Sequence, residues 1–328
     1  MYQCYVSGTG SFVPEKRLTN FDLEKLVDTS DEWIRQRTGI SERRVVVEGE
    51  ATSDLAVKAA ERALAAAEMD PKQIEAVVLC TVTPDTYMPA GAVYVQKRLG
   101  LSGCAAFDLS AACTGFVYGT AVATAFVQSG MYQHVLVIGA ETLSRVVDYA
   151  DRGTCILFGD GAGAAVYSRA EAASPSGVLD SQLCADGNGA ELIEIRGGGS
   201  ASPASHETVE SKEHLISMNG KEVFKFATKT MVELIETALE RNSFKPQDLA
   251  LIVPHQVNSR IIEAALKKLD LPADRLFLNL ERYGNTSAAS VPIALDEAVR
   301  AGRMNRGDLV LFVAFGAGLT WGYNLLRW

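Results

Sequence analysis

The chain has 328 residues, 48% of them hydrophobic and 22% charged, with a formal net charge of −9. That composition excludes disordered and fibrous proteins, allows a large buried core and argues against general nucleic-acid binding. The length predicts two domains or one large α/β unit. No basic residue precedes Lys16 and no apolar h-region follows Met1, which predicts a cytoplasmic protein without a signal peptide. Six cysteines lack CxxC spacing, so reduced thiols are expected rather than disulfides or a zinc site, and no metal is implied.

In chain order, Ser53 to Met69 carries an Ala/Leu stripe opposite charges and reads as an amphipathic helix. Ala76–Val82 and Ala105–Leu109 read as strands. From Leu109 to Gln133 there is no charge, a length that would span a bilayer. Its Ser, Thr and Gly content instead predicts a helix buried on all sides within a domain. Val135–Gly139, Leu249–Val253 and Leu309–Val313 are further buried strands, and Gly220 to Asn242 a second amphipathic helix. The segment from Gly187 to Ser211 is turn-rich and reads as a connection. The whole is α/β. A self-comparison at one offset aligns Leu79–Thr83 with Leu251–His255 and Ala112–Gly115 with Gly284–Ser287, which suggests a duplicated unit whose halves meet at a site. That alignment sets Cys113 opposite Asn285, with His255 nearby, all close to strand carboxyl ends where α/β proteins bind ligands.

Cys113 follows a strand and opens the uncharged helix, a position that favours thiolate and nucleophilic acyl transfer. It is equally readable as a small buried cysteine. His255, after Val253-Pro254, reads as a site residue or a hydrogen-bonded structural histidine. Asn285 alone reads as a turn or cap residue. Gly159–Gly163 runs into a strand rather than a helix, so it reads as a structural turn and not a phosphate loop.

Four motifs in order resemble one family. Ser110-Ala-Ala-Cys-Thr-Gly-Phe116, Pro254-His-Gln-Val-Asn258, Tyr283-Gly-Asn-Thr-Ser287 and Phe315-Gly-Ala-Gly-Leu-Thr-Trp-Gly322 are similar to β-ketoacyl-acyl-carrier-protein synthase III, the initiating condensing enzyme of bacterial fatty acid synthesis. Asp31–Gly39, Asp151–Thr154 and Phe158–Gly163 extend the likeness along the whole chain. The resemblance implies a thiolase fold, duplicated βαβαβαββ halves (residues 1–172 with the cysteine, 173–328 with the His and Asn) in a five-layer α-β-α-β-α core. It implies a homodimer with no membrane span. Cys113 would accept an acyl group from acyl-CoA, and His255 with Asn285 would stabilise the enolate formed as malonyl-acyl carrier protein loses carbon dioxide. Backbone N–H groups of Cys113 and Ala317 would form an oxyanion hole, although the family usually has Gly where Ala317 stands.

The resemblance also assigns CoA binding to Trp33, Arg37, Thr38 and Arg152, with adenine stacked between Trp33 and Arg152. Arg260, Lys267 and Lys268, a basic stripe that reads alone as a solvated helix face, would dock the acidic carrier protein. Met88 would help set the acyl pocket together with the partner subunit's loop. No cofactor is permanently bound; acyl-CoA is a substrate and phosphopantetheine arrives on the carrier. The glycine turn Phe315-Gly-Ala-Gly318 has no cysteine to serve as a second base, which disfavours non-decarboxylative thiolase chemistry. Priming of a polyketide or special lipid with a non-acetyl starter, and a non-condensing acyl shuttle, stay open.

Overall fold

The computed structural model describes residues 2–170 and 176–328, so the expected boundary between the halves, at 172/173, lies outside the described residues. Strands β1 (Gln3–Phe12), β2 (Ala76–Cys80), β3 (Ala105–Leu109), β4 (His134–Thr142) and β5 (Asp160–Ala170) form one sheet in the order β1-β5-β4-β2-β3. Strands β6 (Gly177–Ala185), β7 (Leu249–Pro254), β8 (Leu309–Gly316) and β9 (Thr320–Arg327) form another in the order β7-β8-β9-β6. The pairings correspond. β2 is parallel to β4 as β7 is to β8, and both sheets then continue through two antiparallel pairs. The place of β3 is taken in the second sheet by a single parallel bridge from Ile252 to Leu276.

Among the described residues, seven helices have eight residues or more: α1 (Asp31–Thr38), α2 (Thr52–Ala66), α3 (Gly91–Arg98), α4 (Gly115–Gln128), α5 (Gly220–Arg241), α6 (Ser259–Leu269) and α7 (Ser290–Arg300). α2 and α3 cover the outer face of the first sheet, α4 and α7 lie between the sheets, and α5 and α6 cover the outer face of the second. The result is the expected α-β-α-β-α layering. It explains why the strands read as continuous apolar runs rather than alternating ones. In β2, Val77 and Leu79 face the outer cluster under α2, whereas Ala76, Val78 and Cys80 face the central cluster.

The element ends follow local chemistry. The first long helix starts at Thr52, where the Asp54 carboxylate accepts a hydrogen bond from Ala51 N at 2.7 Å. It stops before Met69 because Glu68 takes a left-handed φ of 50°. The uncharged stretch divides into the end of β3, a 3-10 turn at Ala112–Thr114 and α4, whose Phe116, Val117, Ala123 and Val127 enter the central core. Among the described residues no helix is long and apolar enough to cross a membrane. The turn-rich segment is more ordered than its composition suggests: it holds a 3-10 turn (Gly187–Leu192), a two-residue strand at Ile193–Glu194 paired with Ser217–Met218, and a helix (His206–Glu210) capped by Ser205.

The layers meet with no side chain between them at Gly139, where a Cβ would overlap the carbonyl of Ala288. Gly139→Ala is expected to lower stability by about 1–3 kcal/mol, the usual range for overpacking. Urea denaturation followed by circular dichroism checks this, and an unchanged midpoint would show that the contact relaxes freely.

Candidate active site

One cavity of about 360 Å³ opens at the carboxyl ends of the parallel strands, and Cys113, His255, Asn285 and Ala317 all line it. Cys113 does not begin a helix directly. It sits in the 3-10 turn before α4, after Ala112, whose φ of 46° turns the chain sharply. The matching turn in the second half is Ser287–Ala289, with Ser287 at φ 47° and α7 following. Cys113 therefore corresponds to Ala288, not to Asn285 as the sequence alignment has it. Asn285 belongs to the loop just before the matching turn.

Gly316 lies against the cysteine: a Cβ there would sit 2.7 Å from Cys113 Cβ and 3.1 Å from Sγ. The thiol keeps partial exposure to the cavity, yet its apolar surroundings push it up to about 12. Hydrogen bonding with the Ser287 hydroxyl and with Cys113's own N–H pulls the other way and is outweighed. Burial is the largest influence on the thiol and works against the thiolate that its position before α4 favours.

His255 extends the β7–β8 pairing, its N–H donating to Val313 O at 2.7 Å. Its ring is 1% exposed, stands edge-on to Phe315 with centroids 5.9 Å apart, and has an Nδ1 with no partner among the described residues. Burial alone pushes its pKa down to about 3, so it is neutral at physiological pH. Asn285 is fixed through its backbone by Leu157 O and Gly159 N. Its Oδ1 accepts from Ser287 N at 2.8 Å, which turns the amide and leaves Nδ2 as an uncommitted donor among the described residues. The constellation therefore offers a thiol and two neutral polar groups in an apolar chamber. It can bind a thioester and stabilise an oxyanion; it holds no strong base beside the thiol.

Ala317 fits its turn because the positive φ falls on Gly318, at 134°, and not on Ala317. Two side chains outside the expected set reach this region. Ser287, whose N–H donates to Asn285 Oδ1, lines the cavity, and Glu141, near the end of β4, is a fully buried carboxylate that accepts from Thr83 Oγ1 at 2.6 Å. The signal for Glu141 was a lone acid closing the apolar run Val135–Ala140.

The residues assigned to CoA lie outside the cavity and divide. Ser30 caps α1 by accepting from Trp33 N at 3.1 Å, which sets Trp33 in the first turn. The Arg152 guanidinium lies 4.9 Å and that of Arg37 5.6 Å from the Trp33 ring centroid. Trp33 packs on the cluster of Leu143, Phe158 and Ile216, which also lines the cavity. Thr38 does not join them. It is 2% exposed, its hydroxyl donating to Ile34 O and accepting from Ile40 N to finish α1, so it has nothing to offer a ligand. A hydroxyl the sequence reading missed, that of Thr29, is buried without a partner among the described residues beside Asp28, whose carbonyl accepts from Arg152.

Met88 stands apart from the cavity of its own chain. It is 87% exposed and absent from the cavity wall of its own chain, where the neighbouring Tyr87 reaches instead. Arg260, Lys267 and Lys268 are exposed on α6, without ion pairs among the described residues, while Ile261 and Ala265 are buried beneath. Arg260 lies 5.8 Å from the ring of Phe224 on α5, next to cavity-lining Val223 and Phe226. Asn258 caps α6 through Arg260 N and donates to Arg37 O at 2.9 Å, joining α6 to α1. Among the described residues no group of His, Cys, Asp and Glu could hold a metal ion.

A neutral His255 is directly observable. Its ring nitrogens, followed by ¹⁵N NMR, are expected to show no protonation from about pH 5 to about pH 8. A midpoint near the ordinary 6.5 would overturn the neutral assignment.

Comparison with known proteins bears on this geometry. Residues 107–187 match the family model for 3-oxoacyl-[acyl-carrier-protein] synthase III, and residues 239–328 match the model for its C-terminal part. The chain is 55% identical over 323 residues to β-ketoacyl-[acyl-carrier-protein] synthase III of Caldanaerobacter subterraneus subsp. tengcongensis, covering 98% of this chain and 97% of that protein. The crystal structure of 3-oxoacyl-[acyl-carrier-protein] synthase III from Aquifex aeolicus VF5 superposes with a TM-score of 0.91 at 46% identity, over 99% of this chain and 100% of that one. The priming β-ketosynthase of the R1128 polyketide pathway superposes with a TM-score of 0.90 at 36% identity, over 99% and 96% of the two chains. With its thiolase fold, its full-length likeness and its cysteine, histidine and asparagine in one cavity, the chain belongs to the 3-oxoacyl-[acyl-carrier-protein] synthase III family.

Proposed function

We infer that the chain is an acyltransferase that condenses an acyl-CoA with malonyl-acyl carrier protein to give 3-oxoacyl-carrier protein, carbon dioxide and CoA, initiating fatty acid synthesis. The observation that carries this reading is the meeting of a thiol with two neutral hydrogen-bonding groups in one largely apolar cavity. Cys113 attacks the acyl-CoA carbonyl, the new S–C bond forms, and the CoA sulfur leaves. The N–H groups of Cys113 and Ala317 receive the tetrahedral oxyanion. Malonyl-carrier protein then enters the vacated cavity. Its carboxylate C–C bond breaks, and a ring N–H of His255 with Nδ2 of Asn285 donates to the enolate oxygen. The enolate carbon attacks the acyl group and the S–C bond to Cys113 breaks. Decarboxylation itself makes the nucleophile, which is why a histidine unable to hold a proton suffices.

Trp33, flanked by Arg37 and Arg152, is read as the adenine platform, with the Thr29 hydroxyl in place of Thr38 as its polar neighbour. The exposed cations Arg260, Lys267 and Lys268 are read as the carrier-protein contact, supported by the nearness of Arg260 to the cavity-lining helix α5. The same reading divides the chain into similar halves, 1–172 and 173–328, supported by the matched strand order. It also pairs two copies: the exposed apolar tip Tyr87-Met88 supports contact with a second subunit, where Met88 would reach the partner's acyl pocket.

Incubation with acetyl-, propionyl-, butyryl- and isobutyryl-CoA, followed by malonyl-carrier protein, tests the reading by intact-protein mass spectrometry. A mass gain that is lost in Cys113→Ala, and that disappears with release of 3-oxoacyl-carrier protein, is expected for acetyl and for short straight or branched chains. An adduct that persists after malonyl-carrier protein is added would replace condensation by acyl shuttling. Turnover of acetyl alone would refute the broad starter range.

A further inference from the structure

The decarboxylative step asks two side chains from different elements to donate to one oxygen. His255 follows β7, and Asn285 lies beyond α6 in the loop that precedes α7. The residue beside His255 is bound to both flanks of that loop. Gln256 is 1% exposed. Its Nε2 donates to Pro254 O at 3.0 Å and to Phe277 O at 3.1 Å, while its Oε1 accepts from Asn279 N at 3.1 Å and Leu280 N at 3.2 Å. Its own N–H donates to Ser290 Oγ at 2.6 Å, at the first residue of α7. Phe277, Asn279 and Leu280 precede Asn285 and Ser290 follows it, so the neighbour of His255 holds the Asn285 segment from both sides.

The side-chain amide is needed because the backbone ladder stops short. β7 meets the segment before Asn285 through a single bridge, from Ile252 to Leu276, where Phe277 N donates to Ile252 O at 3.1 Å. Beyond it the two chains part: His255 N turns to Val313 O on β8, and Asn279 leads into the single-turn helix Leu280–Tyr283. The Gln256 amide stands in for the next peptide unit of that ladder, giving its NH₂ to two carbonyls and its oxygen to two N–H groups. The partners fix its orientation, because carbonyls only accept and backbone N–H groups only donate. The short helix ends where Gly284 N donates to Leu280 O at 2.9 Å, and the next residue is Asn285. Glu297 of α7 holds the same segment by accepting from Asn279 Nδ2, the Tyr283 hydroxyl and Arg282. The segment is thus a short strut, and Gln256 joins it to the strand that carries His255.

We propose that Gln256 is a positioning residue for the decarboxylative half-reaction: it sets the separation and relative aim of His255 and Asn285, so that both donors reach the enolate oxygen of the malonyl thioester. The inference rests on those two residues stabilising the enolate together. Gln256 touches no substrate; it is buried behind the cavity wall that His255 and Asn285 line. Acylation of Cys113 uses other donors, the N–H groups of Cys113 and Ala317, and does not require that separation. A residue that acts on it alone therefore divides the two half-reactions.

The test follows both on the full chain: acetyl transfer from acetyl-CoA to Cys113 by quenched-flow mass spectrometry, and release of labelled carbon dioxide from malonyl-carrier protein. Gln256→Met keeps the length of the side chain and removes its amide. It is expected to lower kcat for decarboxylation roughly 100-fold, the cost of an ångström-scale displacement of a donor, with KM for malonyl-carrier protein within about twofold and acylation within about threefold of wild type. Ser290→Ala removes only the acceptor of the Gln256 N–H and is expected to lower decarboxylation roughly fivefold, with the same split. Should circular dichroism show that Gln256→Met does not fold, Ser290→Ala decides, and decarboxylation within about twofold of wild type overturns the proposal. The same result in a folded Gln256→Met overturns it, as do equal losses in both half-reactions or a loss confined to KM. Undiminished decarboxylation in His255→Ala and Asn285→Ala would instead overturn the underlying reading of those two residues.

Discussion

The site depends on the absence of side chains where the two halves touch. Gly139 on β4 meets the carbonyl of Ala288, Gly115 at the start of α4 meets Cys80 and Ala288, and Gly316 at the end of β8 meets Cys113. These contacts bring the turn of each half against a strand end of the other, so that Cys113 and Ser287 occupy one space although their elements lie far apart in sequence. A methyl group at Gly139 or Gly316 would have to displace backbone or the cysteine itself, and one at Gly115 would press on the Cβ atoms of Cys80 and Ala288. Interiors packed at crystal-like density do not absorb such shifts locally. The closeness of the halves is therefore what defines the reacting geometry, and the surrounding sheets and helices serve to hold that closeness.

The same close packing sets the electrostatics. Burial pushes the Cys113 thiol up, the His255 imidazole down and the Glu141 carboxyl up, each toward its uncharged form. A chemistry that required a permanent thiolate–imidazolium pair would be poorly served there. A chemistry in which charge appears transiently on a thioester oxygen is well served, because fixed donors act strongly where water is excluded. Neutral His255 and the oriented Asn285 amide need no reorganisation as that charge develops.

Much of this was legible in the sequence, for identifiable reasons. Strands covered on both faces leave continuous apolar runs, so β2, β4, β7 and β8 could be placed within a few residues. Cys113 and His255 stood out because each follows a strand end. What the sequence could not supply was register in three dimensions. The repeat was visible, yet the loop before the second turn differs in length from its counterpart, so the alignment put Asn285 where the structure puts Ala288. Thr38 was misread because a threonine ending a helix looks available until its hydroxyl is seen bound to Ile34 and Ile40. The reach of Met88 was not legible because a single chain's loop gives no sign of which cavity it serves.

On the proposed reading, the geometry also dictates the order of events. Trp33 and its two arginines stand outside the cavity, as does the basic face of α6, while the thiol lies within it. A thioester delivered from either anchor must therefore thread the same mouth and present its carbonyl to the same sulfur. Two such chains cannot occupy one cavity of about 360 Å³ with both carbonyls beside Cys113. The first acyl group must be left on the protein and its carrier released before the second carrier enters. The Asn258 bond from α6 to the end of α1 joins the two anchors, so on this reading alternation between carriers follows from the single shared cavity.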